Sequence, residues 1–220
     1  MRSSAVDELR ELARRDGLLA EESERTRALT AAVAEVRARA EAIAAFFEDE
    51  ADEDRHLRRA AADATLELDA RRAEQADAAA ELERASSDEQ RDAAQRRVGR
   101  ASDRVELALR NLERVRGELE ALRRTAEELT LELPELELRA REVAGQIGEA
   151  GAPGGGSSAD LVEWASRAHA VLFVASSQLD AQRERVIREA GELASSVLGE
   201  ATYGLTAAQA LARVERAALR

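Results

Sequence analysis

The chain has 220 residues, 45% hydrophobic and 35% charged, with 2% aromatic side chains and two prolines. Strand formers are too scarce for a sandwich or barrel, and a composition rich in Ala, Leu, Glu and Arg specifies long helices. The net charge is -12, and residues 1–85 hold 14 Arg against 22 acids, which disfavours nucleic acid and anionic bilayers as partners.

All 33 basic residues are Arg, so a Walker A lysine and a lysine Schiff base are both excluded. Zero Cys removes thiol nucleophiles, disulfides and cysteine metal sites. The opening MRSSAVDELRELARRDG has no apolar leader core, and no run reaches the roughly 18 apolar residues of a membrane span. A soluble, cytoplasmic protein is expected. Ala buries little area, so an elongated all-α molecule is expected rather than one thick core.

In chain order, residues 1–28 read as an N-terminal helical extension. From Leu29 the apolar positions Leu29, Val33, Val36, Ala40, Ile43 and Phe47 alternate spacings of four and three, the signature of a coiled-coil seam. Weaker occupants carry it through Leu57, Ala64, Leu68, Ala78 and Leu82. A stronger run follows from Ala94 and Val98 through Leu112, Leu119, Leu133 and Val143 to Ile147, without a miss. It predicts an arm roughly 80 Å long at about 1.5 Å per residue.

The phase breaks between the runs at ASSDEQ, where Ser87 and Gln90 have capping-box spacing and Asp88 and Glu89 suit a first helical turn. This places the turn of an antiparallel hairpin near 86–90, with 29–147 as the coiled coil. Folding about residue 88 pairs Leu82 with Ala94, Leu68 with Ala108, Ala64 with Leu112, Ile43 with Leu133 and Val33 with Val143, seam to seam. One continuous helix in a parallel dimer is the alternative; the caps and the phase break favour the hairpin. Pro134 lies inside the second arm, where it removes a backbone hydrogen bond, and predicts a kink or a short helical restart.

Residues 148–158, GEAGAPGGGSS, have the composition of a flexible linker. Residues 159–220 then read as a two-helix C-terminal interaction module. Its first helix, capped by Asp160 or Ser158, runs through Leu161, Ala165, Ala168, Leu172, Leu179, Val186, Leu193 and Val197 to Gly199. Thr206 and Gln209 form a capping box for a last helix over 207–219. Val171, Leu172, Phe173 and Val174 are consecutive and cover most of a helix circumference, more than one neighbour can bury. The last helix shields one side, and the remainder docks on the hairpin base or on another chain. Leu161, Trp164, Leu172, Phe173, Val174, Leu179 and Val186 are the candidate partner-binding residues.

The acidic run EDEADEDRH contains Glu53 and His56 at E-x-x-H spacing, half of a di-metal motif. The only other histidine, His169, has Ser166 three positions earlier. A solvated acidic patch is therefore the reading, with no metal. No Ser-His-Asp set, phosphate loop or carboxylate pair emerges, so no catalytic residue, no cofactor and no small-molecule substrate is expected. Arg pairs on acidic helices read as partners for carboxylates one turn away.

The layout, a long hairpin followed by shorter helices, resembles the architecture of phage-shock and ESCRT-III-type membrane remodelling proteins. Those proteins share a strongly amphipathic amino terminus, whereas residues 1–16 offer Val6, Leu9 and Leu12 among many charges. The hairpin also looks like an arm of a chromosome-maintenance ATPase, without its ATPase motifs. The expected function is a non-enzymatic coiled-coil scaffold or adaptor that self-associates or binds a protein partner through 159–220. The alternative is a membrane-remodelling or filament-forming hairpin protein.

Overall fold

The computed structural model describes residues 2–148 and 156–218. They form four helices, α1 (Arg2–Arg84), α2 (Asp88–Ile147), α3 (Ser158–Leu198) and α4 (Ala207–Ala218), with no strand among the described residues. The fold is all-α, and α1 and α2 pack as an antiparallel hairpin. Residues 149–155, the body of the glycine-rich segment, lie outside the described residues.

The helices group into two compact units, one of Ala42–Leu133 and one of Met1–Glu41 with Pro134–Arg220. This differs from boundaries drawn at 28, 148 and 159. Heptad periodicity reports which residues lie in a seam; it carries no information on which chain ends meet.

In the unit formed by residues 42–133, α1 ends at Arg84, a turn of residues 85–87 follows, and Ser87 caps α2. The Gln90 amide donates to Ser87 Oγ at 3.3 Å, and the Arg91 amide to the Ser87 carbonyl at 2.9 Å. Gln90 Oε1 in turn accepts from the Ser86 amide at 3.1 Å. The reciprocal side-chain bond thus reaches one residue before the cap, and Asp88 and Glu89 sit on the positive end of the helix dipole.

Register along the hairpin follows the seam. Ala64, Leu68, Ala108 and Leu112 form one buried cluster with Val105 against it, matching the pairs expected from a fold about residue 88. Polar contacts agree: Gln75 Nε2 donates to Ser102 Oγ at 2.9 Å, and Arg97 reaches Glu81 at 2.7 Å. The exposed Arg97–Glu81 pair adds little stability, but both contacts disfavour a slipped register.

In the unit formed by 1–41 and 134–220, Leu29, Val33, Val36 and Ala40 of α1 are buried, as are Leu136, Ala140, Val143 and Ala144 of α2. Arg139 and Glu35 pair across these arms through two hydrogen bonds, at 3.0 and 2.6 Å. Helix α2 stays helical through Pro134, so of the kink or short restart expected there the restart is not seen, and the helix does not end.

The cap of α3 lies one residue before Ser158 and three before Asp160, the two expected caps. Ser157 is the N-cap: its Oγ accepts from the Asp160 amide at 3.1 Å and donates to Asp160 Oδ2 at 2.7 Å. Asp160 is therefore the third residue of the box, not its cap. The helix ends at Gly199, whose φ of 70° is the left-handed conformation that glycine adopts without a Cβ clash. Thr206 and Gln209 form the reciprocal box read from sequence. The Gln209 amide donates to Thr206 Oγ1 at 3.2 Å, and the Thr206 amide to Gln209 Oε1 at 3.0 Å.

Candidate functional site

Helix α3 divides its circumference between two environments. On the inner side Leu161, Trp164, Ala165, Ala168 and Leu172 are buried, Trp164 with 0% of its surface exposed. Further along, Val186, Ala190 and Ala194 join Ala207, Ala210 and Val214 of α4 and, from the start of the chain, Leu9 and Leu12 of α1 in one apolar cluster. Leu9 and Leu12 thus complete the core on which the C-terminal helices rest.

A buried carboxylate ties these three helices together. Asp16 is almost fully buried; Arg183 Nε donates to its Oδ1 at 2.9 Å, and the Ala207 amide at the start of α4 donates to its Oδ2 at 3.3 Å. The carboxylate therefore answers both a guanidinium and an unpaired amide at a positive helix end. Asp16→Ala is expected to destabilise the fold by about 2 kcal/mol, near the lower end for lost charged hydrogen bonds because Arg183 is one-third exposed and regains water. Chemical denaturation measures it.

The loop between α3 and α4 is held by a second polar set. Thr202 is buried, its Oγ1 donating to the Gly191 carbonyl at 2.7 Å and its amide to Ser195 Oγ at 3.1 Å. A Cβ on Gly191 would lie 3.4 Å from the Thr202 carbonyl oxygen, so the small residue lets the loop backbone lie close to the helix.

These contacts sort the seven candidate partner-binding residues. Leu161, Trp164, Leu172 and Val186 are interior, buried within the folded chain rather than standing on its surface. Leu179 is half-buried. Phe173 and Val174 face out, 66% and 54% exposed, and Val171 beside them is 46% exposed. Three apolar side chains close together on one helix thus stand in water.

Elsewhere, Glu53 and His56 are both exposed on α1. Among the described residues no group of three or more His, Asp or Glu side chains is arranged to hold a metal ion. Nor is any helix among them long and apolar enough to cross a membrane. A recess of about 660 Å³ between the end of α3 and α4 is lined by Leu198, Glu200, Leu205, Gln209, Arg213 and Arg216. Arg213 and Glu200 pair across it at 2.8 Å.

Asp16 is the residue that apolar periodicity passes over. Positions 9, 12, 16, 19, 23, 26, 30 and 33 keep the three-and-four spacing, and Asp16, Ser23 and Thr26 are all buried on it. A charged side chain at a seam position is the available signal, because such residues are tolerated only when partnered.

The class these features define is an all-α helical-hairpin protein with two further helices docked beside the chain's first turns. Comparison of the chain with protein-family models, with curated proteins and with solved structures gave no match.

Proposed function

We propose that this chain is a non-enzymatic coiled-coil scaffold or adaptor of the cytoplasm, which docks on protein through the outward face of α3. The observation that carries the reading is the exposure of Val171, Phe173 and Val174 on a helix whose opposite face holds the buried Leu161, Trp164, Leu172 and Val186. Apolar burial at that face provides affinity, and the hairpin of residues 42–133 provides a spacer whose acidic surface favours solubility and selects against anionic partners.

The test uses the full-length chain, because 159–220 shares its core with Leu9 and Leu12 and would be left incomplete as an isolated bait. Parent and Phe173→Asp chains are used to capture protein from lysate of the source organism, with quantitative mass spectrometry and far-UV circular dichroism in parallel. The expected result is loss of the captured protein, this chain's own copies included, at unchanged helicity. An unchanged capture set would contradict the reading.

Phage-shock-like membrane remodelling makes a different forecast. With a net charge of -12, the chain is expected to stay with the soluble fraction when floated with anionic vesicles. Co-flotation at physiological salt would favour membrane remodelling instead.

A further inference from the structure

We infer that the outward face of α3 docks on the same face of a second copy of this chain, antiparallel, about a twofold axis between Val174 and Ser177. The inference rests on the reading of that face as a docking surface and names its occupant.

Around Val174 the outward residues form a second heptad stripe, opposite the buried one. Its members are Glu163, Arg167, Ala170 and Val174, then Ser177, Ala181, Glu184 and Arg188, spaced alternately four and three, and all eight are exposed. An alternation of this kind is what lets a helix face stay in register with another helix. α3 already spends its other face on its own unit.

The stripe is complementary to itself when reversed. Laid antiparallel about its midpoint, Val174 meets Ser177, Ala170 meets Ala181, Arg167 meets Glu184 and Glu163 meets Arg188. Every charged position then faces the opposite charge, twice over by symmetry. A parallel pairing puts Glu163 on Glu163, Arg167 on Arg167 and Arg188 on Arg188, and like charges in contact are disfavoured. The charge order therefore selects both the occupant and its direction.

The side chains suit the geometry. Alanine, serine and valine at the middle four positions allow close approach of the two backbones, while Phe173 and Val171 flank the stripe and gain cover from the partner helix. The charges lie at the two ends, where they remain near solvent and cost little to desolvate. At present Glu163 and Arg167 pair only along their own helix, at 3.6 Å, with 72% and 57% of their side chains exposed. The stripe is about 38 Å long at ~1.5 Å per residue. An interface of one helix face is small, so dissociation on the order of micromolar is expected.

Cysteine trapping tests the arrangement cleanly, since the chain contains no cysteine. Ala170→Cys and Ala181→Cys full-length chains are oxidised separately and mixed, and the parent and Val174→Glu chains are compared by sedimentation across the micromolar range. The expected result is a covalent dimer from the mixture and none from either chain alone. In the antiparallel pair, residue 170 and its symmetry mate are offset by about 16 Å along the helix, beyond the ~7 Å reach of a disulfide. The parent is expected to show a concentration-dependent dimer, and Val174→Glu to be monomeric throughout. Cross-linking of either chain alone to an equal extent would overturn the antiparallel pairing, and a parent that stays monomeric would overturn self-association. If the parent is monomeric yet capture from lysate depends on Val174, the inference falls while the docking reading stands. If Val174→Glu alters neither, both fall.

Discussion

Trp164→Ala is expected to lower the stability of its unit by about 3–5 kcal/mol, the cost of removing a large buried aromatic from an interior that cannot fully close around the void. Trp164 is the chain's one tryptophan and is completely buried on α3, in a unit where alanine supplies much of the interior. Neighbouring alanines have no rotamers with which to fill the space, which puts the loss toward the upper part of that range. Against typical stabilities of about 5–15 kcal/mol, this is a large fraction. Hydrogen exchange along α3 reads it: amides from 158 to 172 are expected to lose most of their protection. Exchange there equal to the parent's would show that the indole does not hold the unit together.

Leu9→Ala is expected to cost about 2–5 kcal/mol by the same mechanism and to act at the opposite end of the sequence. Leu9 is fully buried in the cluster that contains Ala190, Ala194, Ala207, Ala210 and Val214. Four of the cluster's seven other buried members are alanines, so Leu9, with Leu12 and the two valines, contributes much of the apolar area that holds α4 in place. The substitution is expected to speed amide exchange in α4 while leaving exchange near the hairpin tip, residues 82–94, unchanged. Trp164 fluorescence provides a second readout during denaturation, since that residue belongs to the same unit. Unaltered protection of α4 would contradict the shared core.

These two residues also show where sequence reading succeeds and where it stops. The hairpin was legible because a heptad seam, a phase break and a capping box are all local signals; Thr206 and Gln209 make both backbone bonds their spacing implies, and Ser87 accepts from the Gln90 amide while the Gln90 side chain reaches Ser86 instead. Even there the local rule had a limit: Ser157 outcompetes Ser158 and Asp160 as the α3 cap, a shift of one residue that composition does not decide. Leu9 could not be assigned to its cluster, because the α3 and α4 members of that cluster lie between residues 186 and 214, at the other end of the chain. Periodicity marks a residue as apolar and inward without saying against what.

The same limit explains the partner-binding set. Seven residues were apolar and on one helix, but only geometry separates Trp164 and Leu172, which the chain buries, from Phe173 and Val174, which it leaves in water. The outward stripe of α3 was present in the sequence as a four-and-three repeat of Ala, Val and Ser between charged ends. Such small side chains give a weak hydrophobic signal, and the stronger repeat through Leu161, Leu172 and Val186 masks it.

The central claim is that α3 has an inner face that makes the fold and an outer face that makes the contact. Thermal melting of Val174→Glu beside Trp164→Ala, on full-length chains below the concentration at which copies associate, tests it most directly. The expected result is a Val174→Glu transition indistinguishable from the parent, within about 0.5 kcal/mol as for other exposed positions, while Trp164→Ala melts many degrees earlier. If Val174→Glu melts as early as Trp164→Ala, the outer face is part of the fold and no surface is left there for a partner.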